Sequence, residues 1–264
     1  MEIAILIKAI ILGIVEGLTE FLPVSSTGHL IIVGDLLNFN DEKGKVFEIV
    51  IQFGAILGVV WDYRRRVTHL ITGIRERHEQ RFLLNLFIAF LPAAVLGLLL
   101  HKKITMYLFS PLTVAGALIV GGILILIIER LPLRVRVNSM EDLSPLDAFK
   151  IGIAQTFSLF PGVSRAGATI MGGLLSGLSR TAATEFSFLL AMPIMFAATF
   201  YELFKSFDLL HAADIPLFAV GFITAFITAL IVVKAFLKFV SRHDFTAFAI
   251  YRIVFGLLAL AYFW

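Results

Sequence analysis

Two short stretches hold most of the side chains able to do chemistry in an otherwise apolar chain. The first reads Glu16-Gly-Leu-Thr-Glu20-Phe-Leu-Pro23-Val-Ser25-Ser26-Thr27-Gly28-His29, the second Pro161-Gly-Val-Ser164-Arg165-Ala-Gly167-Ala-Thr169. Glu16 and Glu20 lie four apart, on one helical face, where like charges repel. A divalent cation that favours carboxylate and phosphate oxygens, Mg²⁺ first and Ca²⁺ as the alternative, would satisfy both. A protonated carboxyl in a helix contact is the plainer reading. Past Pro23 the chain restarts as a helix, with Ser25 or Ser26 as N-cap and Thr27, Gly28 and His29 in its first turn. Free N–H groups at a helix start bind anions, and Gly28 lets a ligand come close to the backbone. Ser26 and His29, three apart, share a face, a geometry in which imidazole takes the hydroxyl proton; simple capping accounts for the same residues. Arg165 adds a planar fork that fits phosphate oxygens, with Ser164 and Thr169 beside it. A buried Arg paired to Glu is its plainer reading.

The elements that must position these groups are set by hydropathy. The chain has 264 residues, 59% hydrophobic and only 16% charged, with a mean hydropathy of +0.95, whereas soluble domains carry about 25% charge. That excludes a water-soluble monomer and indicates an all-α polytopic membrane protein. The absence of Cys excludes disulfides, thiolate nucleophiles and Cys-based zinc sites. A net charge of +3 does not indicate nucleic acid, because the Arg residues fall in short loops between apolar segments. Met1-Glu2 opens no targeting peptide: there is no basic region ahead of the apolar stretch, which runs into Glu16.

Six stretches are long enough to cross a bilayer: 46–62, 82–100, 112–129, 181–201, 215–234 and 245–264. Two others, Ile3–Val15 and Phe149–Phe160, are too short. A dozen residues reach only about half way across a hydrocarbon core of roughly 30 Å, so each reads as one arm of a re-entrant hairpin. Loops 63–81, 130–150 and 237–244 hold 12 Lys and Arg against 5 in 35–45, 101–111 and 202–214. The positive-inside rule then puts Arg64-Arg65-Arg66 in the cytoplasm and both termini outside.

Shifting the chain by 139 residues aligns the two chemical stretches: Gly13-Ile14 on Gly152-Ile153, Glu16 on Gln155, Val24-Ser25 on Val163-Ser164, Gly28 on Gly167. Three spans follow each hairpin, and an odd number makes the halves, about 1–130 and 148–264, upside down relative to each other. Inverted repeats with broken helices carry their binding sites at the breaks. The copies are not equivalent: Arg165 stands where the first has Ser26, Leu159 where it has Glu20, Ala168 where it has His29. One half supplies acid, hydroxyl and imidazole, the other a guanidinium. Glu48, Gln52 and Glu185 read as support or helix contacts, Lys8 as either, Arg252 as snorkelling or paired, and His101-Lys102-Lys103 as a solvated turn. Gly121-Gly122 and Gly172-Gly173 read as close helix packing.

At these residues the sequence resembles the undecaprenyl-diphosphate phosphatase family, also called the bacitracin-resistance protein family, over essentially its whole length. The stretch Glu16 to His29 looks like that family's acidic motif, and Pro161 to Thr169 like its Pro-Gly-x-Ser-Arg-Ser-Gly-x-Thr motif, with Ala166 in place of the second Ser. The resemblance implies metal-dependent removal of the terminal phosphate from undecaprenyl diphosphate, at the outward side of the bacterial plasma membrane, to recycle the carrier of cell-wall precursors. Arg165, Ser164, Thr169, Ser25, Thr27 and Gly28 would hold the phosphates, Glu16 and Glu20 the metal. Ser26 would attack with help from His29, or His29 or Glu20 would activate water. A transporter or flippase of an anionic polyprenyl lipid is the rival expectation, and a homodimer is compatible with either.

Overall fold

A computed structural model describes residues 3–39, 42–108, 110–206 and 212–264. The described residues form eleven α-helices: α1 (Ile3–Thr19), α2 (Ser26–Leu36), α3 (Glu42–Asp62), α4 (Arg64–Thr72), α5 (Arg77–Leu108), α6 (Pro111–Arg130), α7 (Pro145–Thr156), α8 (Arg165–Leu175), α9 (Arg180–Lys205), α10 (Ile215–Val240) and α11 (Thr246–Phe263). Six of them, α3, α5, α6, α9, α10 and α11, are long and apolar enough to cross a membrane, as expected from hydropathy. In lipid only fully hydrogen-bonded helices or closed barrels are tolerated, which is why these apolar runs are unbroken.

Two readings need correction. His101-Lys102-Lys103 is no turn: α5 continues to Leu108, because no Gly or Pro interrupts it before Ser110-Pro111, where Ser110 caps α6. The loop after Asp62 contains α4, whose strongly amphipathic pattern, with Leu70 buried, escapes a search for apolar runs.

Helix α2 and its counterpart α8 have the same length, 11 residues, and start 139 residues apart, each capped by the side chain of the preceding Ser. Several helix pairs follow the same exchange, although α3–α10, among the most extensive contacts, has only a slight counterpart in α5–α9. Helix α1 packs on α10 and α7 on α5; α3 packs on α9 and α6 on α11. Exchanging the halves maps this set onto itself. Small residues set the distances: an added Cβ at Gly13 would lie 2.7 Å from the Gly221 carbonyl, and one at Gly152, its repeat partner, 2.7 Å from the Ala89 carbonyl. Close backbone approach of this kind substitutes in membranes for the hydrophobic drive that lipid removes. The core lies between the halves, where Phe21 meets Phe188 edge to face at 5.7 Å and Phe82 meets Phe186 the same way at 6.3 Å. On the face bearing Arg64-Arg65-Arg66, Arg66 holds both Glu79 and Glu141 at 2.7 Å, tying α4 to the first turn of α5 and to the segment before α7.

Candidate active site

The breaks are built from residues that cannot continue a helix. Between α1 and α2, Pro23 has no N–H to donate and Ser25 takes φ +71°, a strained backbone for a non-glycine residue. Between α7 and α8, Pro161 is followed by Gly162 at φ +91°, which only glycine adopts without penalty. Ser25, not Ser26, is the cap of α2, its Oγ accepting from the Gly28 N–H at 3.4 Å. Ser164 caps α8 through the Gly167 N–H at 3.0 Å.

The two breaks meet. Ser164 Oγ donates to the Leu22 carbonyl at 3.3 Å, across the halves. Arg252 of α11 is buried at 2% exposure. It donates to the carbonyls of Pro23 at 3.2 Å and Gly162 at 3.0 Å, and to those of Ala117 and Leu118 in α6. It therefore neither snorkels nor pairs with a carboxylate, as the sequence suggested; it clamps both breaks by backbone oxygens. Among the described residues, four carbonyl acceptors compensate for burying the charge.

Where the breaks touch, charge and hydroxyl converge. Glu20 Oε2 accepts from Ser26 Oγ at 2.5 Å, and Glu20 Oε1 from Arg165 Nη2 at 3.1 Å. Arg165 also donates to the Ser187 carbonyl at 3.2 Å and lies 5.5 Å over the Phe21 ring. The groups left over are the informative ones. Among the described residues, both carboxylate oxygens of Glu16, 1% exposed, and Nε of Arg165 have no hydrogen-bond partner. The charged groups facing Glu16 are Glu20, Glu48 and Arg165. A buried unpaired carboxylate is costly, so the donor set of Glu16 beside Glu20 fits a divalent cation, and the open Nε of Arg165 fits an anion.

Other expected residues fall differently. Ser26 and His29 are not brought together, since Ser26 turns to Glu20. The His29 ring bonds to the Ser25 carbonyl at 2.7 Å and the Tyr251 hydroxyl at 2.6 Å. Thr169 directs its hydroxyl to Ser187 Oγ at 2.6 Å and the Arg165 carbonyl at 2.9 Å, bracing α8 on α9 instead of facing open space. Gly28 has the Leu118 side chain 3.1 Å from where its Cβ would be, so its bareness serves packing on α6. Thr27 sits half-buried in the first turn of α2. Ser187 and Tyr251 were missed because they sit inside regular apolar spans, where nothing local marks them. Beside the junction, an apolar cavity of about 410 Å³, lined by Phe90, Gly97, Gln155, Leu159, Ile194 and Tyr201, opens between α5, α7 and α9.

The sequence profile of the bacitracin resistance protein BacA family matches residues 9–258, spanning both breaks, five of the six long helices and most of α11. The chain belongs to the BacA family. Among curated relatives, a protein of Methylobacillus flagellatus is 57% identical over 269 residues, covering all of both chains. One of Nitrosospira multiformis is 61% identical over 261 residues, covering 98% of this chain and 96% of the relative. One of Aromatoleum aromaticum is 58% identical over 262 residues, covering 99% and 96%. All three are named undecaprenyl-diphosphatase. In this BacA-family chain Ala166 is fully buried, so the position where the motif resemblance led us to expect a second Ser holds packing, not chemistry.

Proposed function

We propose that this protein is an undecaprenyl-diphosphatase whose site is the junction of the two breaks. The observation that carries the reading is Glu20, which joins the Ser26 hydroxyl of one half to the Arg165 guanidinium of the other within hydrogen-bond distance. The names of relatives at 57–61% identity over nearly the whole chain supply the substrate.

In the mechanism we infer, the diphosphate enters between the breaks while its hydrocarbon tail stays in lipid or in the apolar cavity beside α7. Arg165 exchanges its bond to Glu20 for the phosphate, the N–H groups at the starts of α2 and α8 add donors, and Ser25 and Ser164 hold those turns. Ser26 Oγ attacks the terminal phosphorus and gives its proton to Glu20. The bond from that phosphorus to the bridging oxygen breaks, and the electron pair leaves with undecaprenyl phosphate. Water then displaces Ser26, with Glu20 moving the proton, and inorganic phosphate departs. Glu16 and Glu20 would hold a divalent cation, Mg²⁺ by ligand chemistry, which when bound would neutralise charge developing on phosphate oxygens.

We further infer that the α1–α2 and α7–α8 pairs are re-entrant, that the Arg64-Arg65-Arg66 face is cytoplasmic, and that the site opens outward. The exchange symmetry of the helix pairs would also suit a carrier of the same lipid. Phosphate release from farnesyl diphosphate by the detergent-purified protein separates the two: release that stops with EDTA supports the hydrolase, and no release in Mg²⁺ leaves the carrier.

A further inference from the structure

His29 stands in the first turn of α2, yet neither ring nitrogen faces Ser26. Nδ1 lies 2.7 Å from the carbonyl oxygen of Ser25, and Nε2 lies 2.6 Å from the hydroxyl of Tyr251 on α11. A carbonyl oxygen only accepts, so Nδ1 must carry hydrogen, and in neutral imidazole Nε2 is then the acceptor and Tyr251 the donor. The ring planes of His29 and Tyr251 differ by only 3°. Phe255, one turn further along α11, stacks on the imidazole at 4.1 Å and holds the plane of the ring. His29 and Tyr251 meet although 222 residues separate them in the chain, so α11 reaches across to fix the first break.

The residue at the end of this chain is the strained one. Ser25 holds φ +71°, its Oγ caps α2, and the next residue is Ser26. We propose that Tyr251 is a positioning residue for this site: its hydroxyl donates to Nε2, which keeps hydrogen on Nδ1, and Nδ1 pins the Ser25 carbonyl so that Ser26 and the α2 N–H groups are aimed. His29 thereby acts as a hydrogen-bond donor to the turn and not as the base for Ser26, a task that Glu20 already has the geometry for. The opposite tautomer would set the Nδ1 lone pair against a carbonyl oxygen and release the turn. Arg252, the next residue along α11, holds the carbonyl of Pro23 in the same break. Two consecutive residues of α11 thus hold the turn before Ser26, Arg252 directly at Pro23 and Tyr251 through His29 at Ser25. The proposal rests on the reading of Ser26 as the group that attacks phosphorus.

The test compares full-length His29→Ala, His29→Asn, Tyr251→Phe and Ser26→Ala in phosphate release from farnesyl diphosphate, with thermal midpoints measured on each. Asn places an amide N–H near Nδ1 but is no base. Loss of the donor in His29→Ala should cut kcat on the order of ten- to a hundredfold. His29→Asn should recover most of that. Tyr251→Phe, which keeps the ring, should lower kcat about three- to tenfold with KM unchanged, and should have no further effect in the His29→Asn background, where no tautomer needs choosing. Nitrogen NMR of the native protein should show hydrogen on Nδ1 and none on Nε2. The proposal is overturned by a His29→Asn variant as inactive as His29→Ala at an unchanged midpoint, by native turnover in Tyr251→Phe, or by the reverse tautomer. Full turnover in Ser26→Ala would instead overturn the assignment of the nucleophile, whatever the His29 variants do.

Discussion

Glu16→Gln should make the metal-free protein more stable, although it removes a residue of the proposed site. Glu16 is 1% exposed and both of its oxygens lack a partner among the described residues, while the nearby cation, Arg165, is already engaged by Glu20. An ionised carboxylate at mid-depth in a membrane helix costs about 2.5–3.5 kcal/mol. An amide keeps part of the burial penalty, about 1–2 kcal/mol, and the repeat shows that it is accommodated: Gln155, at the equivalent position, donates to the Ala89 carbonyl at 3.1 Å. The net gain is about 1–2 kcal/mol, or roughly 2–8 °C in the thermal midpoint at about 2–4 °C per kcal/mol for chains of 150–250 residues. The assay is thermal unfolding in detergent, first with EDTA and then across a Mg²⁺ titration. Binding stabilises the native state by RT ln(1 + [L]/Kd), about 2.7 kcal/mol at a hundredfold excess over Kd. The wild-type protein should therefore overtake the variant as Mg²⁺ rises, while Glu16→Gln stays put. Equal midpoints in EDTA and no response to Mg²⁺ would mean that Glu16 is simply protonated, and the cation reasoning would be refuted.

Helix packing offers a graded test: Gly17→Ala would place a Cβ 2.7 Å from both the Ala225 carbonyl and Thr228 Cβ, costing about 1–3 kcal/mol by overpacking. Gly116→Ala, with nothing within 4 Å, should leave the midpoint within about 0.5 kcal/mol of native as other neutral substitutions do; equal losses in the two would contradict the close α1–α10 contact. Acid sensitivity has a source at Asp147. Burial pushes its carboxyl up, but hydrogen bonds from Arg136 and Ser144 outweigh burial and hold it below the usual carboxylate range. A folded value below the unfolded one means that this contribution is complete above about pH 4. It fades as pH falls through the folded value. Asp147→Asn should flatten the low-pH end of a midpoint-versus-pH curve, and an unchanged curve would refute it. Sidedness is readable because the chain has no native Cys: Arg75→Cys should resist an impermeant thiol reagent in intact cells and Lys205→Cys should react, and the reverse pattern would invert the topology.

The six spans were legible because lipid demands long uninterrupted apolar helices; four were found to within a few residues, while α5 runs on to Leu108 and α10 to Val240, past their expected ends. Glu20, Ser26 and Arg165 were legible because acids, hydroxyls and guanidinium stand out beside prolines in such a chain. What escaped is the geometry that spacing alone cannot fix. Ser26 and His29 share a turn, yet they face different elements, since α11 supplies Tyr251 and Phe255 against the imidazole. Thr169 looks like a phosphate ligand until Ser187 of α9 is placed against it. Arg252 was visible as a charge in a span, but its four carbonyl partners come from three distant segments. In each case a long-range contact decided between local alternatives of similar merit.

If one site is assembled from both halves, Glu20 and Arg165 act as a unit. A double-mutant cycle on kcat/KM for phosphate release, using Glu20→Gln, Arg165→Gln and the pair, tests it directly. Each single substitution should cost on the order of a thousandfold and the double variant should be scarcely worse than either, as for residues that act together. Losses that simply multiply would show that the two residues work independently and would contradict a shared site at the junction of the breaks.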